Sequence, residues 1–552
     1  MRKLNYLIAI SIITSPALLL ADSAEILIGE RLFLEQRFSK FYYSQAENSN
    51  DLNSPLKAGD PSLDKTVRFF GLPPYQIPFT KSPFKGGAFS CRSCHMVDEH
   101  LSQKELGMRS YADFASKSPI PSFNDNTSVT VRNSPVLVSS ITERDNFLLH
   151  YDGEFSNSID LIISTLTDSN FGWDKIDYKL ARNHICNVIK NDNGNNHFSS
   201  VIPSYSYTEL FSGITISGKP LPTEYLVEES KRVDVKSVNC DEILRQVAVF
   251  IELYIEDLAF AKDENIISPY DQFLKINNLP DQPLPTETNS EYSSRLLELL
   301  IHLESQNKLS YVTSNPNTDG DFKYHDQEYK FTEQELIGLK IFFTQDSKSK
   351  GSQGNCVACH PAPHFSDFGL HNIGITQVEY EAIHGQNSFL SLPIPTLEDR
   401  DKHANIFLPA STNNPHRQGI YRQAATQRTT MATDLGAWNI LFNDDFPKPQ
   451  AAIKNLICLD ETDCSNDAKI LDLSIATFKT PILRNLGHSA PYMHNGQISD
   501  LHAVIGFYVA TSNSSRQGLI RNSDKELDNI QLSINDIQPL VDFLISLYED
   551  YE

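Results

Sequence analysis

Two short stretches carry the residues best suited to chemistry. "AFSCRSCHMV", residues 88–97, places Cys91 and Cys94 in a Cys-x-x-Cys pair with His95 directly after, and "GNCVACHPAP" repeats the arrangement at Cys356, Cys359 and His360. Zinc would need four donors drawn together, and pairs this far apart in the chain could supply them only through long-range folding. Disulfide exchange has no use for the histidine. Covalent haem accounts for every residue of the pattern: the two thiols form thioethers with the porphyrin vinyl groups, and the adjacent imidazole ligates iron. The expectation is two covalently bound haem c groups, held by Cys91, Cys94 and His95 and by Cys356, Cys359 and His360.

Export fits that chemistry. The chain opens "MRKLNYLIAISIITSPALLLADSAE", with Arg2 and Lys3 before an apolar run that ends at Leu20 and Ala21. This reads as a signal peptide over residues 1–21; the alternative is an uncleaved anchor, for which the run is on the short side of a span of about 20 residues. A periplasmic location follows as an expectation. Four cysteines remain, Cys186, Cys240, Cys458 and Cys464; an even remainder in an exported chain suggests two disulfides, and of the three pairings Cys458–Cys464 with Cys186–Cys240 is preferred. No later apolar run is long enough to cross a bilayer, so no membrane association is expected after cleavage. A formal charge of −23 over 552 residues argues against a nucleic-acid partner, which requires a basic face.

The elements that must position these groups read as mainly α. "FTEQELIGLKIFF" carries a capping box from Thr332 to Glu335 and puts Leu336, Leu339 and Phe343 on one face, where Leu339 and Phe343 are expected to pack over the second haem. "NDIQPLVDFLISL" spaces Ile537, Leu540, Val541, Leu544 and Leu547 as a helix that tolerates Pro539 in its first turn. "CDEILRQVAVFIELYI" after Cys240 shows the same period. Polar, Pro- and Asn-rich stretches such as "NNLPDQPLPTETNSE" and the segment from Pro393 to Gln418 read as linkers or covering loops. The expected organisation is a signal over 1–21, a cytochrome c-like haem domain with an insertion over 22–278, a linker or insertion over 279–330, and a second haem domain with an insertion over 331–552.

"GERLFLEQRF", "VRNSPVL" with "LHYDGEF", "SPYDQFL", "CVACHPAPHFSDFGLHNIG" and "FKTPILRNLGHSAPYMHNG" occur in an order that resembles the bacterial di-haem cytochrome c peroxidase superfamily, which includes the MauG-type enzymes. The resemblance implies two helical cytochrome c domains facing each other with a calcium ion between the haems. Carried over by motif, its ligands would be the Asn133 side chain and the carbonyls of Ser489 and Pro491, hard oxygen donors of the kind calcium takes. Where peroxidases of the family place a methionine on the second iron, this chain has Tyr508, as MauG-type enzymes do. A phenolate favours ferric and higher states. Where the family has a tryptophan between the haems, this chain has Tyr151, which would serve as a hopping station.

The first haem would be the reactive one. Its iron is expected to be open, or weakly closed by Met96 or Met108, since His100 lies too near His95 to reach the opposite ring face. The family's distal glutamine, proline and glutamate fall on Leu161, Thr165 and Phe171, two of which cannot move a proton; Asp160, Thr165, Thr167 or Asp168 are the polar alternatives. Together the readings imply a periplasmic di-haem c-type oxidoreductase. It would couple one-electron oxidation of a donor to reduction of hydrogen peroxide or a similar oxidant. The donor would be a small electron-transfer protein, cytochrome c or cupredoxin, or a side chain of a partner protein as in MauG. The alternatives are a non-catalytic di-haem electron carrier and a haem sensor.

Overall fold

The computed structural model describes residues 23–40, 42–43, 90–91, 95, 131–194, 205–261, 267–315, 328–345, 352–459, 464–484, 486 and 492–549. The expected signal peptide, Cys94, Met96, His100, Met108, Ser489 and Pro491 lie outside the described residues. Within them the fold is mainly helical, and no helix is long and apolar enough to cross a membrane. The longer helices are α1 (Ala24–Phe33), α2 (Ser158–Thr167), α3 (Tyr178–Asn191), α4 (Cys240–Asp257), α5 (Pro269–Ile276), α6 (Asn289–Ser305), α7 (Glu333–Phe343), α8 (Ile375–His384), α9 (Gln450–Ile457), α10 (Leu501–Arg516) and α11 (Ile537–Ile545). A two-stranded antiparallel sheet pairs β1 (Leu370–His371) with β2 (Phe478–Lys479), Leu370 opposite Lys479.

The same device builds each half. In the first, α1 crosses α4 so closely that a Cβ on Gly29 would lie 2.1 Å from the Phe250 carbonyl oxygen. In the second, α7 crosses α11, and a Cβ on Gly338 would lie 1.9 Å from the Pro539 carbonyl oxygen. Only glycine admits backbones at that distance. Around the first crossing Ile28, Leu32, Phe33, Leu166, Ile185, Phe211, Val247 and Phe250 form one core, and each such side chain contributes about 1.5–3 kcal/mol by leaving water. The "GERLFLEQRF" motif closes this half with buried ions: Arg31 and Arg37 both pair with Asp192, each at 2.9 Å, Arg37 also pairs with Glu35 at 2.6 Å, and the Tyr207 hydroxyl donates to Glu35. That motif is therefore structural.

The second core begins earlier than the expected boundary. Tyr270, Phe273 and Leu274 of α5 and Tyr292, Leu296 and Leu300 of α6 pack with Leu336, Leu339, Phe343, Leu540 and Leu544. The stretch 279–330, read as a linker or insertion, holds a helix of 17 residues whose apolar side joins the second half. A third core, built on Tyr380, Phe389, Tyr421, Trp438 and Ile453, organises the segment between β1 and β2 and packs on Leu148 and Tyr151. Cys186–Cys240 ties α3 to the start of α4, and Cys458–Cys464 closes a short loop after α9. Both pairings are those preferred from the sequence.

Candidate haem sites

In both Cys-x-x-Cys-His segments the histidine amide reaches back to the first cysteine. The His360 amide donates to the Cys356 carbonyl at 2.8 Å, and the His95 amide donates to the Cys91 carbonyl at 2.9 Å. In each case one turn brings the first cysteine under the histidine. Asn355, at φ 51, supplies the left-handed residue that starts the second turn. Cys356 and Cys359 carry free thiols. Burial pushes the Cys356 thiol up to about 12, which disfavours a thiolate there.

A cavity enclosing about 1360 Å³ of unfilled space, counted to its mouth, opens at Cys356, Cys359 and His360. Its walls are largely apolar, from Phe342 of α7, Leu483, Leu486, Ile505 of α10 and Leu544 of α11. Phe342 lines it, whereas Leu339 and Phe343, expected to do so, face the helix core. Successive helical residues are rotated by about 100°, so one position of error exchanges the faces.

These walls suit a haem c. Nδ1 of His360 donates to the Phe365 carbonyl at 2.7 Å, which leaves Nε2 as the unprotonated ligand atom. Burial lowers the imidazole to about 4 and keeps it neutral, the form that binds iron. Tyr508, in the middle of α10, lines the same cavity, and its hydroxyl has no hydrogen bond among the described residues. Burial first, then the Cys359 and Cys356 thiols, hold the phenol well above its ordinary range, so a Lewis acid is needed to ionise it.

The site also offers cations without anions. Lys479 of β2 lines the cavity, and Arg144 lies beside it; their charged groups stand 5.7 Å and 4.0 Å from the centre of the Phe368 ring. Neither pairs with a carboxylate among the described residues; Arg144 spends its guanidinium on the carbonyls of Ser140, Thr142 and Leu148 and leaves Nε unbonded. Burial lowers Lys479 to about 7 and Arg144 to about 10. An unpaired ammonium in a half-buried, largely apolar setting is costly, and a carboxylate beside it removes the cost. Haem propionates have that chemistry, and Lys479 and Arg144 are the residues that would hold them. By contrast, His371 is fully engaged, with Nδ1 at 2.5 Å from Asp524 and Nε2 at 2.8 Å from Asp367. It is a clamped imidazolium, held well above its ordinary range, and not a metal ligand beside Cys359.

Around the other motif, His95 is described while Cys94 is not. Burial lowers His95 to about 4, with the Pro135 carbonyl acting against it and the charge of His150 reinforcing it. Of the expected calcium donors only Asn133 is described. Its amide donates to the His494 carbonyl at 2.6 Å and its Nδ2 donates to the Met493 carbonyl at 3.3 Å, so it lies against the segment that follows Pro491.

Tyr151 lines the His360 cavity, its ring centre 6.3 Å from that of His494, which in turn stacks on Phe478 at 3.5 Å. Three of the four polar alternatives for a distal group are otherwise used, while Thr165 lines a polar cavity. Asp160 pairs with Lys448, Asp168 pairs with Lys175, the Thr167 hydroxyl donates to the Ile163 carbonyl, and Phe171 is in the core. Sequence reasoning passed over His150 and Glu154. They lie four apart in a hairpin closed by the Leu149–Phe155 bridge, and Nδ1 of His150 is 3.0 Å from Glu154. Their i, i+4 spacing was visible, but nothing local marked the hairpin that joins them.

No family model matches the chain. It is 27% identical over 216 residues, 39% of this chain and 40% of the other, to cytochrome-c peroxidase IdrP2 of Denitromonas iodatirespirans. It is also 27% identical over 201 residues, 36% and 38%, to cytochrome-c peroxidase IdrP2 of Pseudomonas sp. strain SCT. Over this part of its length the chain is similar to bacterial cytochrome-c peroxidases. The match spans about two fifths of the length of these curated relatives. Among solved structures, the di-haem peroxidase BthA from Burkholderia thailandensis E264 superposes with a TM-score of 0.44 at 14% identity, covering 96% of this chain and 86% of that one. A MauG-like protein associated with microbial copper homeostasis gives 0.43 at 13% identity, covering 96% and 90%. Likeness at this level transfers no residue role.

Proposed function

We propose that this chain is an exported, periplasmic di-haem c-type oxidoreductase of the peroxidase kind. It would couple one-electron oxidation of a protein donor, a small cytochrome or cupredoxin or a partner's side chain, to two-electron reduction of hydrogen peroxide. The observation that carries the reading is the convergence of two free thiols, a neutral imidazole with its Nε2 free and an unpartnered Tyr508 on one largely apolar cavity. Haem, when bound, supplies the one-electron and peroxide chemistry that no side chain here can perform.

The chain's own groups do the rest. Cys356 and Cys359 fix the macrocycle, His360 is aimed by Phe365, and the apolar walls exclude water. Tyr508 offers a hard anionic oxygen that favours oxidised iron. Tyr151 lines this cavity, next in the chain to His150, which lines a separate polar one, and offers a route for electrons. Asn133, with the carbonyls of Ser489 and Pro491, would hold a calcium ion where the two halves meet.

Ferric-state absorption and electron paramagnetic resonance spectra test the reading, with the denatured mass counting haem groups. Two thioether-bound haems, one high-spin ferric signal and a change at the second iron in Tyr508→Phe are the expected result. Two saturated low-spin haems would make the chain an electron carrier. No spectral change in Tyr508→Phe would remove the phenolate.

A further inference from the structure

A ladder of aromatic rings runs from the His360 site to the surface of the second half. Phe365, whose carbonyl accepts from Nδ1 of His360 at 2.7 Å, is the first rung. Its ring centre lies 5.9 Å from that of Phe342, which lines the cavity, and 5.5 Å from that of Tyr270. From Tyr270 the centres step 6.3 Å to Phe331, 4.1 Å to Phe273 and 6.4 Å to Tyr311. The last two contacts are stacked, with interplanar angles of 21° and 20°.

Two segments interleave to build it. Tyr270 and Phe273 stand three residues apart on α5 and so share a face, while the Val312–Phe331 bridge sets Phe331 beside the strand-like turn that carries Tyr311. Tyr270, Phe273 and Phe331 are buried members of the second core. Tyr311 is not: it is 41% exposed. A core needs no phenol at its solvent end, where a leucine or phenylalanine would cover the stack as well.

The two phenols of the ladder differ in where a proton can go. Loss of an electron makes a phenol strongly acidic, so the oxidised state persists only where the proton can leave. The Tyr270 hydroxyl is buried with no hydrogen-bond partner among the described residues, and that of Tyr292 beside it is donated to the Pro280 carbonyl at 2.9 Å. The Arg484 guanidinium, 5.5 Å from the Tyr270 ring centre, is attracted to the intact ring and opposes a positive charge on it. Tyr311 meets water, which takes its proton. An electron vacancy can therefore pass through Tyr270 but come to rest at Tyr311.

We propose that Tyr311 is the surface residue through which an external one-electron donor feeds the His360 haem, with Tyr270 as the relay between them. This rests on the peroxidase reading given above. Tyr311 gives one electron inward through Phe273, Phe331 and Tyr270 and one proton to solvent, leaving a neutral phenoxyl radical. An electron from the donor and a proton from solvent restore the phenol. Two such cycles supply the two electrons that, with two protons, turn one H2O2 into two waters.

The test mixes the ferric two-haem protein with hydrogen peroxide and no donor, freezes it for electron paramagnetic resonance, and analyses the products by mass for dityrosine. The wild type is expected to show a tyrosyl signal and to form covalent dimers through Tyr311, because exposed phenoxyl radicals couple. Tyr311→Phe keeps the stacked ring and should lower both yields by about tenfold or more, while the haem spectral change on adding peroxide keeps its rate. Tyr270→Phe should lower both as well; a Tyr311 oxidised directly from solution would not respond to that buried change. Phe331→Leu opens the same gap and repeats the measurement should the Tyr270 variant lose haem. Wild-type yields in Tyr311→Phe, or in both ladder variants, would overturn the assignment, as would a wild type whose haems respond to peroxide without any tyrosyl signal. A wild type whose haems do not respond at all would overturn the peroxidase reading, and this inference with it.

Discussion

His150 and Tyr151, consecutive in the chain, open onto different cavities. His150 lines the polar one with Glu154 and Arg422, and Tyr151 lines the largely apolar one with Cys356, His360 and Tyr508. One peptide unit thus separates the lining of the polar cavity from the group proposed to pass electrons. The third core holds this junction in place by packing on Leu148 and Tyr151, and the Lys479 amide donates to the Tyr151 carbonyl at 2.7 Å.

Tyr151→Phe tests the electron route. The hydroxyl has no hydrogen-bond partner among the described residues, so the change is expected to alter unfolding free energy by less than about 1 kcal/mol. Burial holds the phenol well above its ordinary range, with Arg132 acting against it, so the ring is neutral at rest. Donor oxidation under peroxide should fall about tenfold, while the fast reaction of the ferric protein with peroxide keeps its rate. A variant with wild-type donor oxidation would leave Tyr151 as packing.

Lys479→Met tests the seat proposed for a propionate. Its ammonium, unpaired beside Arg144, favours whichever state of the neighbouring group is more negative, and for a haem that is the reduced one. Removing it should lower the midpoint potential of the His360 haem at pH 6 by on the order of 60 mV, the one-electron equivalent of about 1.4 kcal/mol. Potentiometric titration followed at the Soret band reads this directly. An unchanged potential would place the propionates elsewhere.

How much of this the sequence discloses depends on how local each constraint is. The haem motifs are legible because thioether chemistry fixes the spacing of Cys356, Cys359 and His360 within one turn, and the folded turns match it. The helices are legible where the apolar period is long, as in α4 and α11. The extent of the second core is not, because Pro280, Pro283 and Pro285 mark a loop and mask the capping box from Thr288 to Glu291 just after it. The pairing of α1 with α4 and of α7 with α11 also escaped notice. "IGERLF" and "IGLKIF" repeat the crossing glycine, but what that glycine meets, Phe250 or Pro539, is supplied by a distant segment. The polar cavity is least legible, since His150, Arg417 and Arg422 come together only through the fold.

Gly338→Ala makes the crossing measurable. The new methyl carbon would have to sit 1.9 Å from the Pro539 carbonyl oxygen, so α7 and α11 must part. A loss of on the order of 3 kcal/mol is expected in denaturant unfolding, with reduced haem retention in the second half. Gly506→Ala is the control: it lies in α10 with nothing within 4 Å of its Cβ position, and it should gain up to about 1 kcal/mol from helix propensity. Equal effects of the two substitutions would contradict the close crossing.

The clamp of His371 between Asp367 and Asp524 sets a pH window. His371 is raised well above its ordinary value, with Cys359 and Asp367 as the leading causes against burial. Its contribution to stability is therefore complete below about pH 6.5, the unfolded value, and is lost as pH climbs through the higher folded value. Asp367 and Asp524 are lowered, chiefly by His371 against burial, so their contribution is present above about pH 3.9 and is lost as pH falls through their folded values. His371→Gln leaves two carboxylates facing each other beside Cys359, and breaking such a partly buried set should cost roughly 3 kcal/mol at pH 7. Above about pH 6.5 the wild-type unfolding free energy should decline as this contribution is lost, a decline that His371→Gln lacks because it holds no imidazolium at any pH. Parallel curves for the two proteins from pH 4 to 9 would show that the imidazolium does not hold the wall of the cavity.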